Sequence, residues 1–253
     1  MTAPDGTLTH MHGLPLPPVR LEGIALFLDM DGVLAPLAPR PEDVVPVARR
    51  TEILRRLAKR LEGRMAIVSG RTLAEIDRIS EAASPAASGV HGLERRRHDG
   101  SLERPAAHPA VRKVVETLDD YAADRPGMIV EDKTVSAGLH YRQAPGFAAD
   151  VRRLGEKLAA ETGLAIQHGD QVMELKTPGT SKGTAVQAFM AEAPFAGTLP
   201  VMVGDDLTDE DGFEAAAALG GFGVLVGPER PTAARYRLDD VEAVLRWLEG
   251  IAA

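Results

Sequence analysis

Cysteine is absent from all 253 residues, which excludes disulfides, thiolate zinc sites and a cysteine nucleophile. A reducing cytoplasm is the compartment that fits. No apolar run reaches the roughly 18 residues that a membrane-spanning helix needs, so no membrane partner is expected. Basic residues are the minority, 29 Lys and Arg against 37 Asp and Glu, for a net charge of −8. Binding nucleic acid through its phosphates usually brings a basic surplus, so nucleic acid is not an expected partner either. The start of the chain is rich in Pro, Gly, Thr and His and lacks the apolar stretch of a secretory signal. Residues 1–19 are read as a loose tail. No internal repeat is evident. What is present is ordinary for a soluble globular protein, 44% hydrophobic and 26% charged. The length suits one large domain or two small ones. No surface pattern points to a protein partner, and a monomer is expected.

Ile24-Ala25-Leu26-Phe27-Leu28 is a short apolar run ending at Asp29. Bounded by polar and glycine residues, it suits a strand buried on both faces. Ile53, Leu54, Leu57 and Leu61 fall at helical spacing, and Gly63 stops that helix. Met65-Ala66-Ile67-Val68 predicts the next strand, ending at Ser69-Gly70-Arg71. Thr72 with Glu75 three residues on is a capping-box pattern that opens another helix. Ser88-Gly89-Val90-His91-Gly92-Leu93 is a weaker strand candidate. Toward the far end, Ser181 can cap a helix that starts at Lys182. Leu199-Pro200-Val201-Met202-Val203 is a strand ending at Gly204-Asp205-Asp206, and Thr208 is expected to open a helix. Gly223-Val224-Leu225-Val226 makes one more strand, and Val241, Val244, Leu245 and Leu248 lie on a final helix. Strands alternating with helices argue for an α/β fold, a parallel sheet covered on both sides. Ligands in such sheets bind beyond the carboxyl ends of the strands, where Asp29, Ser69 and Asp205 each sit.

The middle of the chain reads differently. Residues 109–123 predict a helix, followed by strand-like runs at 127–133 and 136–142. A second helix at 147–162 leads to further strands at 164–168 and 171–176. That order suits a small α+β unit with an antiparallel sheet. Residues 20–97 and 178–253 are expected to form the core. Residues 98–177 would be a cap inserted into it, joined near 95–105 and 175–179.

Asp29-Met30-Asp31-Gly32 directly follows a buried strand, so its paired carboxylates can share one divalent cation. Oxygen ligands around a small hard ion suit Mg²⁺, and a metal-poised aspartate can attack phosphorus. A plain Asp-x-Asp-Gly turn is the alternative. Gly204-Asp205-Asp206-Leu207-Thr208-Asp209-Glu210-Asp211 crowds acidic residues whose repulsion needs a cation or solvent to screen it. The alternative there is a solvated loop with acids favoured near a helix start. Asp205, next to the strand, is the first choice of ligand. Asp209 would support the ligands from behind, and Glu210 and Asp211 would serve the helix. Lys182 opens a helix against the preference of the helix dipole, which leaves it free to meet a phosphate or carboxylate. Ser69-Gly70-Arg71 offers a hydroxyl and backbone N–H groups suited to phosphate oxygens.

In this order, the four segments resemble the motifs of the haloacid-dehalogenase-like phosphatases, over nearly all of the chain from Leu21 onward. The resemblance implies that fold and its inserted cap. It implies Asp29 as nucleophile and Asp31 as general acid and base, with Ser69, Gly70 and Lys182 binding the phosphoryl group. It implies an Mg²⁺ site of Asp29, the backbone carbonyl of Asp31 and Asp205. Val33 stands where the family often has threonine. It leaves the carboxylates intact.

Val130-Glu131-Asp132-Lys133-Thr134-Val135-Ser136-Ala137-Gly138-Leu139-His140-Tyr141-Arg142 is similar to the trehalose-6-phosphate phosphatase branch of that family. Gly89-Val90-His91-Gly92-Leu93-Glu94 and Met173-Glu174-Leu175-Lys176 support the same likeness. It implies hydrolysis of trehalose 6-phosphate, the last step of trehalose biosynthesis, through an aspartyl-phosphate. A disaccharide presents many hydroxyls, which carboxylates paired with amines or guanidinium groups can bind. Arg71, Glu131, Lys133, His140, Arg142, Glu174 and Lys176 are the candidate substrate contacts, each with a bland alternative as an exposed charge. Strand alternation puts Glu131 with Lys133, and His140 with Arg142, on one face. His91 is read as structural. The alternatives are a phosphatase of another sugar phosphate (sucrose or mannosyl-glycerate types), a phosphotransferase, or a non-catalytic phosphosugar-binding module. The intact Asp29/Asp31 pair argues against inert binding.

Overall fold

The computed structural model describes residues 13–104, 106–169 and 171–253. The chain runs β1 (Ile24–Leu28), α1 (Ala48–Arg60), β2 (Met65–Val68), α2 (Leu73–Ser80), β3 (Ala86–Gly89), β4 (Glu94–Arg96) and β5 (Leu102–Glu103). It continues with α3 (Val111–Ala122), β6 (Ile129–Asp132), β7 (Ser136–His140), α4 (Ala148–Thr162), β8 (Ala165–Gly169) and β9 (Val172–Lys176). The last part holds α5 (Lys182–Met190), β10 (Leu199–Gly204), α6 (Glu210–Ala218), β11 (Phe222–Val226), β12 (Tyr236–Leu238) and α7 (Val241–Ala252).

These strands form two sheets. The larger has the order β12-β11-β10-β1-β2-β3-β4-β5, parallel from β12 to β3 and closed by an antiparallel hairpin, β4–β5. The smaller is antiparallel, ordered β6-β7-β9-β8. From β1 the chain winds outward through β2 and β3 on one side and, later, through β10, β11 and β12 on the other. The crevice at such a switch point is where ligands bind in open α/β sheets.

β1 is buried on both faces because its alternate residues enter different cores. Ile24, Leu26 and Leu28 pack with Leu54 and Leu57 of α1, Ile76 of α2 and Leu248 of α7. Ala25 and Phe27 pack with Val186 and Phe189 of α5 and Phe213 of α6. The Phe27 ring stacks on Phe195 at 5.6 Å between centroids. Burying a phenylalanine this completely contributes about 1.5–3 kcal/mol, so β1 is a rigid base for the acidic turn at its carboxyl end.

The smaller sheet divides its residues by the same alternation. Ala137, Leu139, Met173 and Leu175 face α3 and α4, against Val114, Leu118, Val151 and Leu158. The opposite face carries Glu131, His140 and Glu174.

Several expectations need correction. The join between core and cap expected near 95–105 is largely taken up by the β4–β5 hairpin, residues 94–103. This hairpin extends the large sheet beyond the expected boundary at 98. Ion pairs accommodate its charges: Arg96 binds Asp77 at 2.6 Å, and Arg95 binds Glu103 at 2.6 Å and Glu192 at 2.7 Å. The strand expected over Ser88-Gly89-Val90-His91-Gly92-Leu93 ends at Gly89, where a tight turn begins. Thr208 does not open α6. A short 3₁₀ turn, Leu207–Asp209, comes first and is capped by Asp206, whose Oδ1 accepts from Leu207 N at 2.6 Å. β12 carries no clear sequence signal. Residues 1–12 of the expected tail lie outside the described residues. Residues 13–19 are not loose, since Pro15 O accepts from Arg237 N at 3.0 Å and Pro18 O from Trp247 Nε1 at 2.9 Å. No helix among the described residues is long and apolar enough to cross a membrane.

Candidate active site

Asp29 leaves the end of β1 with its amide still bonded to Val203 O of β10 at 3.0 Å, so the sheet itself aims it. Its Oδ1 accepts from Met30 N at 2.7 Å and its Oδ2 from Lys182 Nζ at 2.8 Å. Lys182 reaches it from the first turn of α5, which Ser181 caps by accepting from Thr184 N at 3.3 Å. The lysine is 2% exposed and also donates to Asp209 Oδ1 at 2.7 Å. Burial alone would lower this ammonium, but Asp209 and Asp29 hold it above the ordinary lysine range.

Asp209 is wholly buried, and its Oδ2 accepts the amides of Asp205 at 3.0 Å and Asp206 at 3.1 Å. It therefore shapes the acidic loop after β10. Carboxylate oxygens of Asp29, Asp205 and Asp209 all lie within 4.8 Å of one another. Gly32 (φ +70°) makes that approach possible, since a Cβ there would lie 2.0 Å from Asp205 Oδ2. Burial, opposed by Lys182, pushes the Asp29 carboxyl up to about 6. Burial and the charge of Asp29 push Asp205 up to about 8. Such a crowd of oxygens holds protons that a hard divalent cation would displace, and the donor set fits Mg²⁺. Glu210 turns away from it, accepting from Thr232 Oγ1 at 3.1 Å, Ala233 N at 2.8 Å and Arg230.

Asp31, two residues past Asp29, is gripped by both edges of one guanidinium: Arg71 Nε donates to Oδ2 at 2.7 Å and Nη2 to Oδ1 at 2.8 Å. Arg71 also donates to Pro41 O at 2.9 Å and Glu75 Oε1 at 3.2 Å. The expectation that Arg71 contacts substrate thus meets a different role. It lines the cleft, but its fork already holds Asp31. Ser69 lies buried after β2, its Oγ accepting from Arg71 N at 3.3 Å. Thr72 and Glu75 close the expected capping box at 3.0 and 3.3 Å, fixing α2 just behind this turn.

The cap supplies the opposite wall. Lys133 Nζ, from the β6–β7 turn, donates to Gly70 O and Glu174 Oε2, each at 2.9 Å, and lies 3.5 Å from Glu131 Oε2. His140 Nε2 is 2.8 Å from that same Glu131 oxygen. Burial would raise Glu174, but Lys133 and His91 hold it well below the ordinary glutamate range. Glu131, Lys133, His140, Arg142 and Glu174 all line one cleft with Asp29, Asp31, Ser69, Gly70, Arg71, Lys182 and Asp205.

Lys176 is the exception among the expected contacts. It does not line the cleft. Its Nζ donates to Thr180 O at 2.7 Å, and burial pushes it down to about 8. It has the same strand parity as Glu174, but it ends β9, where the chain turns back on it. Gln167 and His91 are among the lining residues that the sequence does not assign to the cleft. Gln167 pairs across β8 and β9 with Glu174, in a row that continues through Gly138 to Glu131. Strand register, invisible in one sequence, is the signal that finds it. His91 reaches the cleft from a left-handed turn that neither valine nor histidine favours.

A family model described as trehalose-phosphatase matches residues 27–242. The trehalose-6-phosphate phosphatase of Escherichia coli (strain K12) is 40% identical over 229 residues, which is 90% of this chain and 86% of that protein. A probable trehalose-phosphate phosphatase of Sinorhizobium fredii is 37% identical over 213 residues, covering 83% and 80%. Among solved structures, the C-terminal domain of a C. albicans trehalose-6-phosphate phosphatase shares the fold with a TM-score of 0.81, at 22% identity, covering 95% of this chain and 98% of that one. The chain belongs to the trehalose-phosphatase family.

Proposed function

We propose that this chain is a cytoplasmic, monomeric, Mg²⁺-dependent phosphatase that converts trehalose 6-phosphate to trehalose and phosphate, the last step of trehalose biosynthesis. The observation that carries it is one cleft with an anion-handling floor and a polar roof. Asp29 sits 2.8 Å from Lys182 on the floor. Glu131, Lys133 and Glu174 face it from the cap.

Asp29 attacks phosphorus as the bond to the sugar oxygen breaks, and Asp31 protonates that oxygen. Water then attacks phosphorus, the bond to Asp29 breaks, and Asp31 takes the proton from water. Lys182, the Ser69 hydroxyl and the backbone at Gly70 hold the phosphoryl oxygens. Arg71 aims Asp31 through its two-pronged grip. Asp29, Asp205 and the carbonyl of Asp31 would hold Mg²⁺, with Asp209 orienting them. When bound, the ion supplies positive charge that offsets repulsion between an anionic carboxylate and an anionic phosphate. Glu131, Lys133, His140, Arg142 and Glu174 take the sugar hydroxyls, and the cap over the cleft limits water during the first step.

Phosphate release from a panel of phosphosugars, with Mg²⁺ and with chelator, tests this. Mg²⁺-dependent preference for trehalose 6-phosphate is the expected outcome. Release only from other phosphosugars would keep the chemistry and reject the substrate. No release from any would favour a phosphosugar-binding module.

A further inference from the structure

Three consecutive residues after β3 adopt left-handed backbone: Val90 (φ +47°), His91 (φ +51°) and Gly92 (φ +96°). Glycine does so freely, whereas that backbone strains a β-branched valine and a histidine, at a cost in stability. Buried Val90 packs with Leu93 and with Val135 from the cap, an apolar cluster apart from the three main cores. It offsets part of that cost and touches both parts of the molecule.

The turn drives the His91 imidazole between two functional segments. On the core side, a Cβ built at Gly70 would lie 2.5 Å from His91 Nε2, so the ring covers that glycine. His91 N also donates to Ser69 O at 3.1 Å. On the cap side, Nε2 lies 3.5 Å from Glu174 Oε2. Lys133 closes the circuit by donating to both Gly70 O and Glu174 Oε2. Burial lowers the His91 pKa, opposed by the neighbouring Glu174 carboxylate. His91 Nδ1 and Glu174 Oε1 are both buried without a hydrogen-bond partner. Backbone strain and unmet buried polar atoms together disfavour the fold, and they are commonest where a site needs them.

We propose that His91 is a positioning residue that ties the Ser69–Gly70 turn to Glu174 of the cap, so that the phosphate and sugar ends of a phosphosugar are gripped in one shared geometry. This role rests on the phosphosugar reading of the cleft. A small phosphoester that never reaches the cap needs only the floor, so His91 sets the preference between the two kinds of ester. It acts through Gly70 and Glu174.

The test compares the full chain with its His91→Asn variant, both with Mg²⁺, on trehalose 6-phosphate and on phenyl phosphate. Asparagine tolerates the left-handed backbone, so the turn is kept. The expected result is a loss in kcat/KM of about 10- to 100-fold for trehalose 6-phosphate and of about 3-fold or less for phenyl phosphate. Equal losses on the two esters, or no loss on either, would overturn the proposal. A wild-type protein active on phenyl phosphate but inert to trehalose 6-phosphate would instead reject the substrate reading. A second measurement then decides on His91. Because the chain has no cysteine, labels on Arg55→Cys in α1 and Arg152→Cys in α4 report the distance between core and cap without background. His91→Asn should broaden that distribution toward longer distances. An unchanged distribution would overturn the proposal whatever the substrate.

Discussion

On the floor of the cleft, the carboxylates stand just past the buried carboxyl ends of parallel strands. On its roof, polar groups project from one face of a small antiparallel sheet with helices only behind it. The floor is dictated by backbone: Asp29 and the Asp205–Asp209 loop come after adjacent strands, β1 and β10, and Lys182 arrives on a capped helix. The roof is dictated by register: Glu131 and Glu174 flank Gly138 in one row, and Lys133 is drawn between them. The difference teaches that strand ends of the large sheet aim the floor groups, while pairing within the small sheet aims the roof groups. Reacting groups and selecting groups can therefore be broken separately.

The largest effect should come from Asp29→Asn, which removes the proposed nucleophile and leaves the roof whole. Turnover of trehalose 6-phosphate should fall on the order of 10⁴-fold or more, read by phosphate release. Calorimetry should still detect binding of the phosphosugar. Glu174→Gln attacks the other side and leaves Lys133 buried beside a neutral partner. Glu131 Oε2 stays 3.5 Å from that ammonium, but the nearer carboxylate charge is gone, so the melting temperature should drop. In kcat/KM, trehalose 6-phosphate should lose about 10- to 100-fold and phenyl phosphate much less. Equal losses on both esters would erase the distinction between floor and roof.

A smaller effect concerns protons on the floor. Asp29 and Asp205 are raised to about 6 and about 8 in the folded chain, against an ordinary carboxyl value of 3.8. A carboxyl raised by folding favours the folded state below its unfolded pKa and loses that benefit as pH climbs through the folded value. The chelator-treated protein should therefore lose stability as pH rises from about 4 through about 6 and about 8. Mg²⁺ should restore it, and the Mg²⁺-induced rise in melting temperature should grow over the upper part of that range. A rise independent of pH would mean that these carboxyls do not hold the ion. Lys176→Met should have the least effect. Its ammonium meets Thr180 O outside the cleft lining, so kcat/KM should change less than about 2-fold and the melting temperature should hold.

The same contrast governs what can be read from sequence. Apolar runs such as Ile24-Ala25-Leu26-Phe27-Leu28 announce strands buried on both faces, and the carboxylates at their carboxyl ends mark the floor. Contacts that join distant segments carry no such local mark. Arg71 and Asp31 are 40 positions apart, and nothing near either reveals that the guanidinium takes the carboxylate. The β4–β5 hairpin is hidden because its charged residues are neutralised by Asp77, Glu103 and Glu192, and no alternating apolar pattern announces it. Lys176 keeps the parity of Glu174 but not its surroundings, because parity tells which face a strand residue takes and not where the strand ends.

The most direct test of the floor chemistry is intact mass and peptide mapping of the protein quenched during turnover of trehalose 6-phosphate with Mg²⁺. An acid-stable phosphoryl group on the peptide that contains Asp29, absent in Asp29→Asn and accumulating in Asp31→Asn, is the predicted result. Steady turnover with no phosphoryl group in any of the three proteins, or with one on a different peptide, would contradict it.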